Sequence, residues 1–270
     1  MSNPLQNIDP RSLTQVMPLF SSAWVSTSPA LPSFDAQVYG PMMSVAITER
    51  FSVGLNQGGY AVAHISPAER RGPLGDLLVR RRGRTAGGTR DGFLNMGGYA
   101  QYTVIEDVEN QFLATVGVRL AVPCGSYDLF QGKGPALLAP YLTVGKEFGP
   151  YHVLATAGYQ FPARAGDRGT ELFYVNAHLD RQCFGWVYPL VEVNWTKHTS
   201  SLDLPSLPTR HGMIDFGNFE TFGNVVTLAA GVNLVLIRDR VELGAVYGRS
   251  LSTSRNVDID SMLVKLVLRY

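Results

Sequence analysis

The sequence contains little charge and no long apolar run. Charged residues make up 17% of its 270 residues and the net charge is +1, whereas an ordinary soluble domain has roughly 25% charged residues. Without an excess of positive charge, the chain gives no global reason to expect nucleic acid as a partner. The longest nearly apolar stretch, 225–237, is interrupted by Thr227 and Asn233. Because a membrane-spanning helix needs about 20 apolar residues, a bundle of such helices is excluded.

Cysteine is scarce, and residues 1–13 contain no recognisable secretory signal. The strand pattern described next places the two cysteines, Cys124 and Cys183, at opposite ends of the predicted fold, so we expect two free thiols. Residues 1–13 have no basic segment followed by an apolar core, which is the pattern of a secretory signal. A cytosolic β-protein therefore stays an alternative to the membrane protein proposed below.

Alternation with a period of two is clearest at the C-terminus. In the stretch 262–270, apolar residues occupy one parity and both charged residues occupy the other, which predicts a strand with one apolar face. We expect Leu266, Leu268 and Tyr270 to face lipid, and Lys265 and Arg269 to face the interior. A strand that ends on the last residue leaves no edge in lipid only if it pairs with the first strand, which closes the sheet into a barrel.

The same alternation predicts about twelve strands along the chain. The predicted strands are 14–26, 35–47, 51–62, 92–104, 112–120, 139–147, 151–160, 173–180, 187–195, 225–236, 241–247 and 262–270. An even number of strands, most of them near the 9–11 residues needed to cross the hydrocarbon, is typical of bacterial outer-membrane barrels. The predicted fold is therefore all-β: an antiparallel up-and-down transmembrane β-barrel of about 12 strands over residues 14–270, preceded by a periplasmic N-terminal segment, residues 1–13.

The connections between these strands alternate in length. Short connections lie near 48–50, 106–110, 147–150, 181–185 and 238–240, and long ones at 27–34, 63–90, 123–138, 162–171, 198–224 and 250–261. Outer-membrane barrels have short periplasmic turns and long extracellular loops, whereas a soluble sandwich has no reason to sort its loops in this way. The alternation predicts that both termini lie on the periplasmic side.

Three segments resemble a known family. They are DPRSLTQVMPLF (9–20), LATVGVRLAVPCGSYDLFQGKGPALLAPYLTVGKEFGPYHVLATAGYQFP (113–162) and NAHLDRQCFGWVYPLVEVNW (176–195). The second segment has a Pro-x-Gly-Ser motif after a strand. Together the segments are similar to the MetA-pathway-of-phenol-degradation family of outer-membrane proteins and to related uncharacterised barrels. The resemblance implies a barrel that passes small organic molecules. The terminal aromatic, Tyr270, resembles the signal recognised by the barrel-assembly machinery, which is therefore an expected partner.

Polar residues on the inward parity are the candidates for lining a pore. They are Tyr99, Gln101, Arg119, Asn176, His178, Glu192 and Lys265. Both signs of charge occur, whereas a pore for one ion sign would have a ring of one charge. A mixed interior suits a small polar or amphipathic solute. The alternative is a set of charges that only neutralise one another or plug the barrel, since any such barrel has inward polar residues.

Two other clusters have alternative interpretations. His178 and Asp180 share a strand face, with Glu192 on the next strand, which would suit a metal or acid–base site or simply a hydrogen-bonded histidine. Without further ligands, we expect no metal and no cofactor. In loop 63–90, four arginines could bind an anionic solute or lipopolysaccharide, or form a solvated loop. These arginines are Arg80, Arg81, Arg82 and Arg84. The absence of interleaved aromatic residues disfavours nucleic acid.

The sequence thus favours an outer-membrane channel for passive uptake of small organic solutes. A non-conducting structural or surface-binding barrel is the alternative. A membrane-embedded lipid hydrolase is less favoured, because no serine–histidine pair stands out on one lipid-facing strand, and parity turns His152 and His178 inward. We therefore expect no enzyme, and expect outer-membrane lipid and a small organic solute as partners.

Overall fold

The computed structural model describes residues 8–25, 33–66, 88–129, 131–132, 134–164, 171–199, 224–251 and 259–270. These residues form fourteen strands and one short 3-10 helix, η1 (Tyr127–Leu129). No helix in the described ranges is long and apolar enough to cross a membrane. The strands are β1 (Gln15–Val25), β2 (Phe34–Ala46), β3 (Phe51–Gln57), β4 (Tyr60–Ile65), β5 (Gly88–Phe93), β6 (Met96–Asp107), β7 (Phe112–Val122), β8 (Leu137–Phe148), β9 (Tyr151–Pro162), β10 (Leu172–Arg181), β11 (Val187–His198), β12 (Asn224–Ile237), β13 (Val241–Ser250) and β14 (Ile259–Arg269).

All strand pairings in the sheet are antiparallel, and the sheet closes on itself. Strand β1 pairs with β2 on one side and with β14 on the other, where Gln15 lies opposite Arg269. Strands β3 and β4 both pair with β2, β6 pairs with β3, and β5 pairs with β4. Strands β3 and β4 together make one crossing of the barrel wall, and so do β5 and β6. The fourteen strands therefore form a twelve-strand barrel, which confirms the predicted fold class.

The two divided crossings are interrupted side by side. Gly58 and Gly59 separate β3 from β4 with φ values of 142° and 125°, a region that residues with a side chain rarely adopt. A Cβ on Gly59 would lie 2.3 Å from the carbonyl oxygen of Tyr39. Leu94, at the break between β5 and β6, donates its backbone N–H to Gly59 O at 2.9 Å. Strand β4 ends at Ile65 and β5 begins at Gly88, so both ends of the predicted loop 63–90 belong to strands of the barrel wall.

The five short connections lie at one mouth of the barrel, called here the short-turn end. They are 47–50, 108–111, 149–150, 182–186 and 238–240. The opposite mouth is the long-loop end. Cys183 lies in a short connection and Cys124 follows β7 at the long-loop end; both are free thiols, as predicted.

The two faces of the wall differ in chemistry. Alternate residues of β7 are apolar and exposed: Val116 is 43% exposed and Val118 is 40% exposed. Thr115 precedes Val116 on the same strand, lies on the opposite face and is fully buried. On β14, Lys265 is only 2% exposed while the terminal Tyr270 is 88% exposed. Lys265 and Arg269 of this strand therefore lie inside the barrel, in the space called the lumen below, whereas Asp260 lies on the outer face with Arg249 and Tyr247.

Three tyrosines of the inner wall lie across glycines of the neighbouring strand. The pairs are Tyr99 on Gly54, Tyr141 on Gly117 and Tyr174 on Gly158. A Cβ on Gly117 or Gly158 would lie 2.4 Å from the tyrosine that covers it, well inside van der Waals contact. The glycines thus let the rings lie flat on the wall instead of standing into the lumen.

The N-terminal segment enters the barrel. Ile8 packs in one buried cluster with Tyr141 and Tyr174, which belong to the inner wall. The sequence had predicted residues 1–13 as a segment outside the barrel domain. Residues 8–11 differ from that expectation because their backbone carbonyls find hydrogen-bond donors on the inner wall, as described next.

Candidate functional site

A chain of buried titratable groups crosses strands β9, β10 and β11. His178 Nδ1 lies 2.8 Å from Glu192 Oε1, and His178 Nε2 lies 3.1 Å from Asp180 Oδ2. Asp180 also contacts Nδ1 of His152 on β9. All four residues are at most 3% exposed. The sequence predicts that three of these side chains lie together and that His152 points inward, without a partner. The β9–β10 register, in which Asp180 lies opposite His152, identifies that partner.

Two cations of β14 continue this network. Arg269 Nη1 lies 2.8 Å from Glu242 Oε1, with both side chains largely buried. Lys265 interacts electrostatically with Glu192 and Glu242 of the wall and with Asp9 of the N-terminal segment. Burial of an unpaired charge costs several kcal/mol, so these carboxylates and cations stabilise one another inside the lumen.

The segment 8–11 binds the wall through its backbone. Gln101 Nε2 donates to the carbonyl oxygens of Asp9 at 3.1 Å and Arg11 at 3.3 Å. Thr115 Oγ1 donates to the carbonyl oxygen of Pro10 at 2.7 Å. Within the segment, Arg11 and Asp9 form an ion pair at 2.6 Å. We call residues 8–11 the lower cover, because they lie over the inner wall and narrow the lumen from the short-turn side.

A second segment covers the wall nearer the long-loop end. Leu129 of η1 is 1% exposed and packs in an apolar cluster with Leu94 and with four inward residues of β2 and β4, which are Ala36, Val38, Ala61 and Ala63. Asn95 Oδ1 accepts from the backbone N–H groups of Gly125 at 3.0 Å and Gly132 at 2.9 Å. Residues 125–129 and 131–132 are called the upper cover.

Arg119 lies on the inner face of β7, between two of the flat tyrosines. Its Cζ is 5.7 Å from the ring centre of Tyr141 and 5.8 Å from that of Tyr174, within the range of cation–π attraction. In the amide orientation that satisfies both of its polar atoms, Asn56 accepts from Arg119 Nε at 3.0 Å and donates to Gly97 O. Tyr141 in turn donates to Gln101 Oε1 at 2.9 Å.

The predicted pore-lining residues all lie on the inner parity of their strands. Gln101, His178, Glu192 and Lys265 are buried, and Tyr99, Arg119 and Asn176 are half-buried. Their part in solute passage stays a prediction. The four arginines of loop 63–90 lie outside the described residues, as do residues 200–223 of loop 198–224.

The described part of the chain contains no assembled metal centre. There, no group of three or more His, Cys, Asp or Glu side chains has an arrangement that could hold a metal ion. His178 and Asp180 instead use their polar atoms on each other and on neighbouring side chains. The expectation that the chain is not an enzyme stays a prediction.

A closed twelve-strand antiparallel barrel with an apolar outer wall and a polar inner wall is a porin-like outer-membrane β-barrel. No protein-family model matches the chain, and no curated protein matches its sequence. Membership of the MetA-pathway-of-phenol-degradation family therefore stays a prediction.

Solved structures support the fold. The chain is similar to the COG4313 outer membrane channel from Pseudomonas putida F1, with a TM-score of 0.63, 10% identity and 100% of each chain covered. It is also similar to the NanC porin, with a TM-score of 0.55, 7% identity, and 94% of this chain and 100% of that chain covered. The KdgM porin matches with a TM-score of 0.50 and 10% identity over 94% of this chain and 99% of that chain.

Proposed function

We propose that this protein is a bacterial outer-membrane channel for the passive uptake of small organic solutes. The observation that carries the proposal is the inner wall, which carries polar side chains from the Glu242–Arg269 pair at the short-turn end to Arg119 nearer the other mouth. Such a wall offers hydrogen-bond donors and acceptors, and charges of both signs, along one path. The structural likeness to porins and a channel supports it at the level of the fold.

The two covers limit the size of the solute. The lower cover lies against Gln101 and Thr115, and the upper cover fills the apolar part of the wall around Leu129. A twelve-strand barrel is already narrower than the 16-strand porins. The proposed solutes are therefore small organic molecules, in keeping with the family that the sequence resembles. Outer-membrane lipid is the proposed partner of the outer wall, and the barrel-assembly machinery that of β14.

A non-conducting barrel is the second candidate, and the same covers favour it. Both are fixed by specific bonds: Gln101, Thr115 and Thr143 of the wall donate to carbonyl oxygens of the lower cover, and Asn95 accepts from two backbone N–H groups of the upper cover. If these bonds never release, the lumen stays closed and the barrel serves as a scaffold for its loops.

Liposome swelling tests the two candidates. The refolded protein is reconstituted into liposomes, and the rate of swelling in arabinose, a small neutral solute, is compared with that of empty liposomes. We expect the wild type to admit arabinose, and a variant lacking residues 1–11 to admit it faster because the lower cover is gone. Gln101→Ala, which removes two bonds to that cover, should raise the rate less. The matched control is Ser12→Ala, which removes an exposed bond to Thr48 O and should leave the rate unchanged.

The outcomes separate the candidates cleanly. Swelling by the wild type supports the channel. No swelling by the wild type or by the shortened variant would overturn the channel and favour the closed barrel. Swelling by the shortened variant alone would mean that the lower cover closes the wild-type lumen.

A further inference from the structure

Arg119 differs from the other cations that face the lumen. Arg11 has Asp9 at 2.6 Å, and Arg269 has Glu242 at 2.8 Å. Lys265 lies among several carboxylates. In the described part of the chain, Arg119 forms no ion pair with a carboxylate, and its terminal Nη atoms have no hydrogen-bond partner. Its charge is therefore available to a solute.

The orientation of the Arg119 side chain is nevertheless fixed. Asn56 takes the Nε–H, and the rings of Tyr141 and Tyr174 flank the guanidinium. Both rings are themselves held flat by Gly117 and Gly158. A planar guanidinium with free Nη atoms matches the two oxygens of a carboxylate in a bidentate pair.

An unpaired donor lies beside this cation. Tyr174 is only 6% exposed, and its buried hydroxyl has no hydrogen-bond partner. A buried polar group without a partner costs about 1–3 kcal/mol, so an acceptor brought by a solute would remove that penalty. The neighbouring side chains are apolar, since Ile8 and Ala139 belong to the same buried cluster as both tyrosines and half-buried Leu172 packs against it.

We propose that Arg119, Tyr174 and Tyr141 form a subsite that binds the carboxylate of a small organic acid whose body is planar and apolar. The guanidinium Nη atoms bind the carboxylate oxygens, the Tyr174 hydroxyl donates one further hydrogen bond, and the body of the solute takes the place of Ile8 against the tyrosines, which are only 5% and 6% exposed while Ile8 covers them. One guanidinium suits a monoanion, whereas Arg11, Arg269 and Lys265 have carboxylate partners and do not add to this charge. The inference rests on the proposed channel function and names the class of solute.

Equilibrium binding to the refolded protein in detergent micelles tests the subsite. Benzoate is the probe, titrated by calorimetry, with neutral benzamide and inorganic phosphate as comparison ligands. Arg119→Gln should weaken benzoate binding by at least about tenfold, because it removes a charge-assisted pair. Tyr174→Phe should weaken it by about threefold, with the ring retained. Arg238→Gln is the matched control, since that side chain is 94% exposed in a short turn, and its affinity should equal that of the wild type.

Benzoate that binds no more tightly than benzamide, or equally well to Arg119→Gln and wild type, would overturn the subsite. Phosphate binding more tightly than benzoate would overturn the assignment to a carboxylate. Gel mobility with and without heating checks that each variant is folded, and Tyr174→Phe gives a second reading if Arg119→Gln fails to fold. Arabinose swelling without Arg119-dependent binding would leave the channel standing and reject the subsite. The reverse pattern would assign a binding site to a non-conducting barrel.

Discussion

The lower and upper covers occupy the same lumen but bind its wall by opposite chemistry. The lower cover presents backbone carbonyls to side-chain donors and lies beside buried ion pairs. The upper cover inserts one leucine into a patch of alanines and valine, and hydrogen bonds with Asn95 and Phe93 hold the rest of it. The first arrangement stabilises through directional bonds and charge, and the second through removal of apolar area from water.

The difference follows from the wall beneath each cover. Under the lower cover, inward positions of β6 and β7 carry Gln101 and Thr115, and Lys265 of β14 interacts electrostatically with Asp9, so a cover there has to satisfy polar groups. Inward positions of β2 and β4 near the long-loop end are alanine, valine and isoleucine, which would face water without Leu129. The wall therefore predicts which covering segment fits where, and the following substitutions separate the two contributions.

The largest effect is expected from Glu192→Ala at the polar wall. The change removes one of the two carboxylates that His178 contacts and one of the three that act on Lys265, all in a buried site, so the free energy of unfolding should fall by about 3–5 kcal/mol. Urea unfolding in micelles, followed by tryptophan fluorescence, measures it. Glu49→Ala in an exposed turn is the control and should change stability by less than about 0.5 kcal/mol. An equal, small effect for both variants would mean that the network does not stabilise the barrel.

Leu129→Ala breaks the apolar contact of the upper cover. The leucine is fully buried, and its truncation should cost about 2 kcal/mol, at the low end for such changes because a loop can relax into the space. The same unfolding measurement applies. Leu251→Ala, at a position that is 54% exposed, should be nearly neutral. A loss for Leu129→Ala as large as that for Glu192→Ala would contradict the ranking of the polar wall above the upper cover.

Asn95→Ala sharpens the comparison within the upper cover. It removes the acceptor of two backbone N–H groups, those of Gly125 and Gly132, and should cost about 1–2 kcal/mol. Gln131→Ala removes the acceptor of one, that of Asn95, and should cost less. If Gln131→Ala proved the more damaging of the two in urea unfolding, Asn95 would not be the side chain that holds this segment.

The smallest effect is expected from Thr115→Ala under the lower cover. The hydroxyl donates to Pro10 O at 2.7 Å, and its loss should cost about 1 kcal/mol. Thr115→Ser keeps the hydroxyl and should recover most of that stability. A serine variant as unstable as the alanine variant would assign the effect to the lost methyl group rather than to the hydrogen bond.

The strands were predictable because alternation is a local pattern. Twelve crossings, their order and the inward position of Lys265 and His178 follow from parity alone. The breaks at Gly58–Gly59 and Leu94–Asn95 were not predicted, since a paired glycine signals a turn as readily as an interrupted strand.

The contents of the lumen were harder to predict. The lower cover is held by carbonyl oxygens, which every residue has, so Ile8 and Pro10 carry no signal of their destination. The upper cover depends on Leu129, one apolar residue in a long connection. The partnership of His152 with Asp180 and the isolation of Arg119 both depend on register across strands, which parity within a strand does not specify.

The two thiols give the barrel a native label at each mouth. Cys124 is exposed at the long-loop end, and Cys183 is partly exposed in a short connection at the opposite end. In intact cells, a thiol reagent that cannot cross the outer membrane should modify Cys124 and spare Cys183 if the long loops face outward. Orientation in the membrane can thus be determined without adding a tag, and Cys124→Ser or Cys183→Ser identifies the labelled mouth.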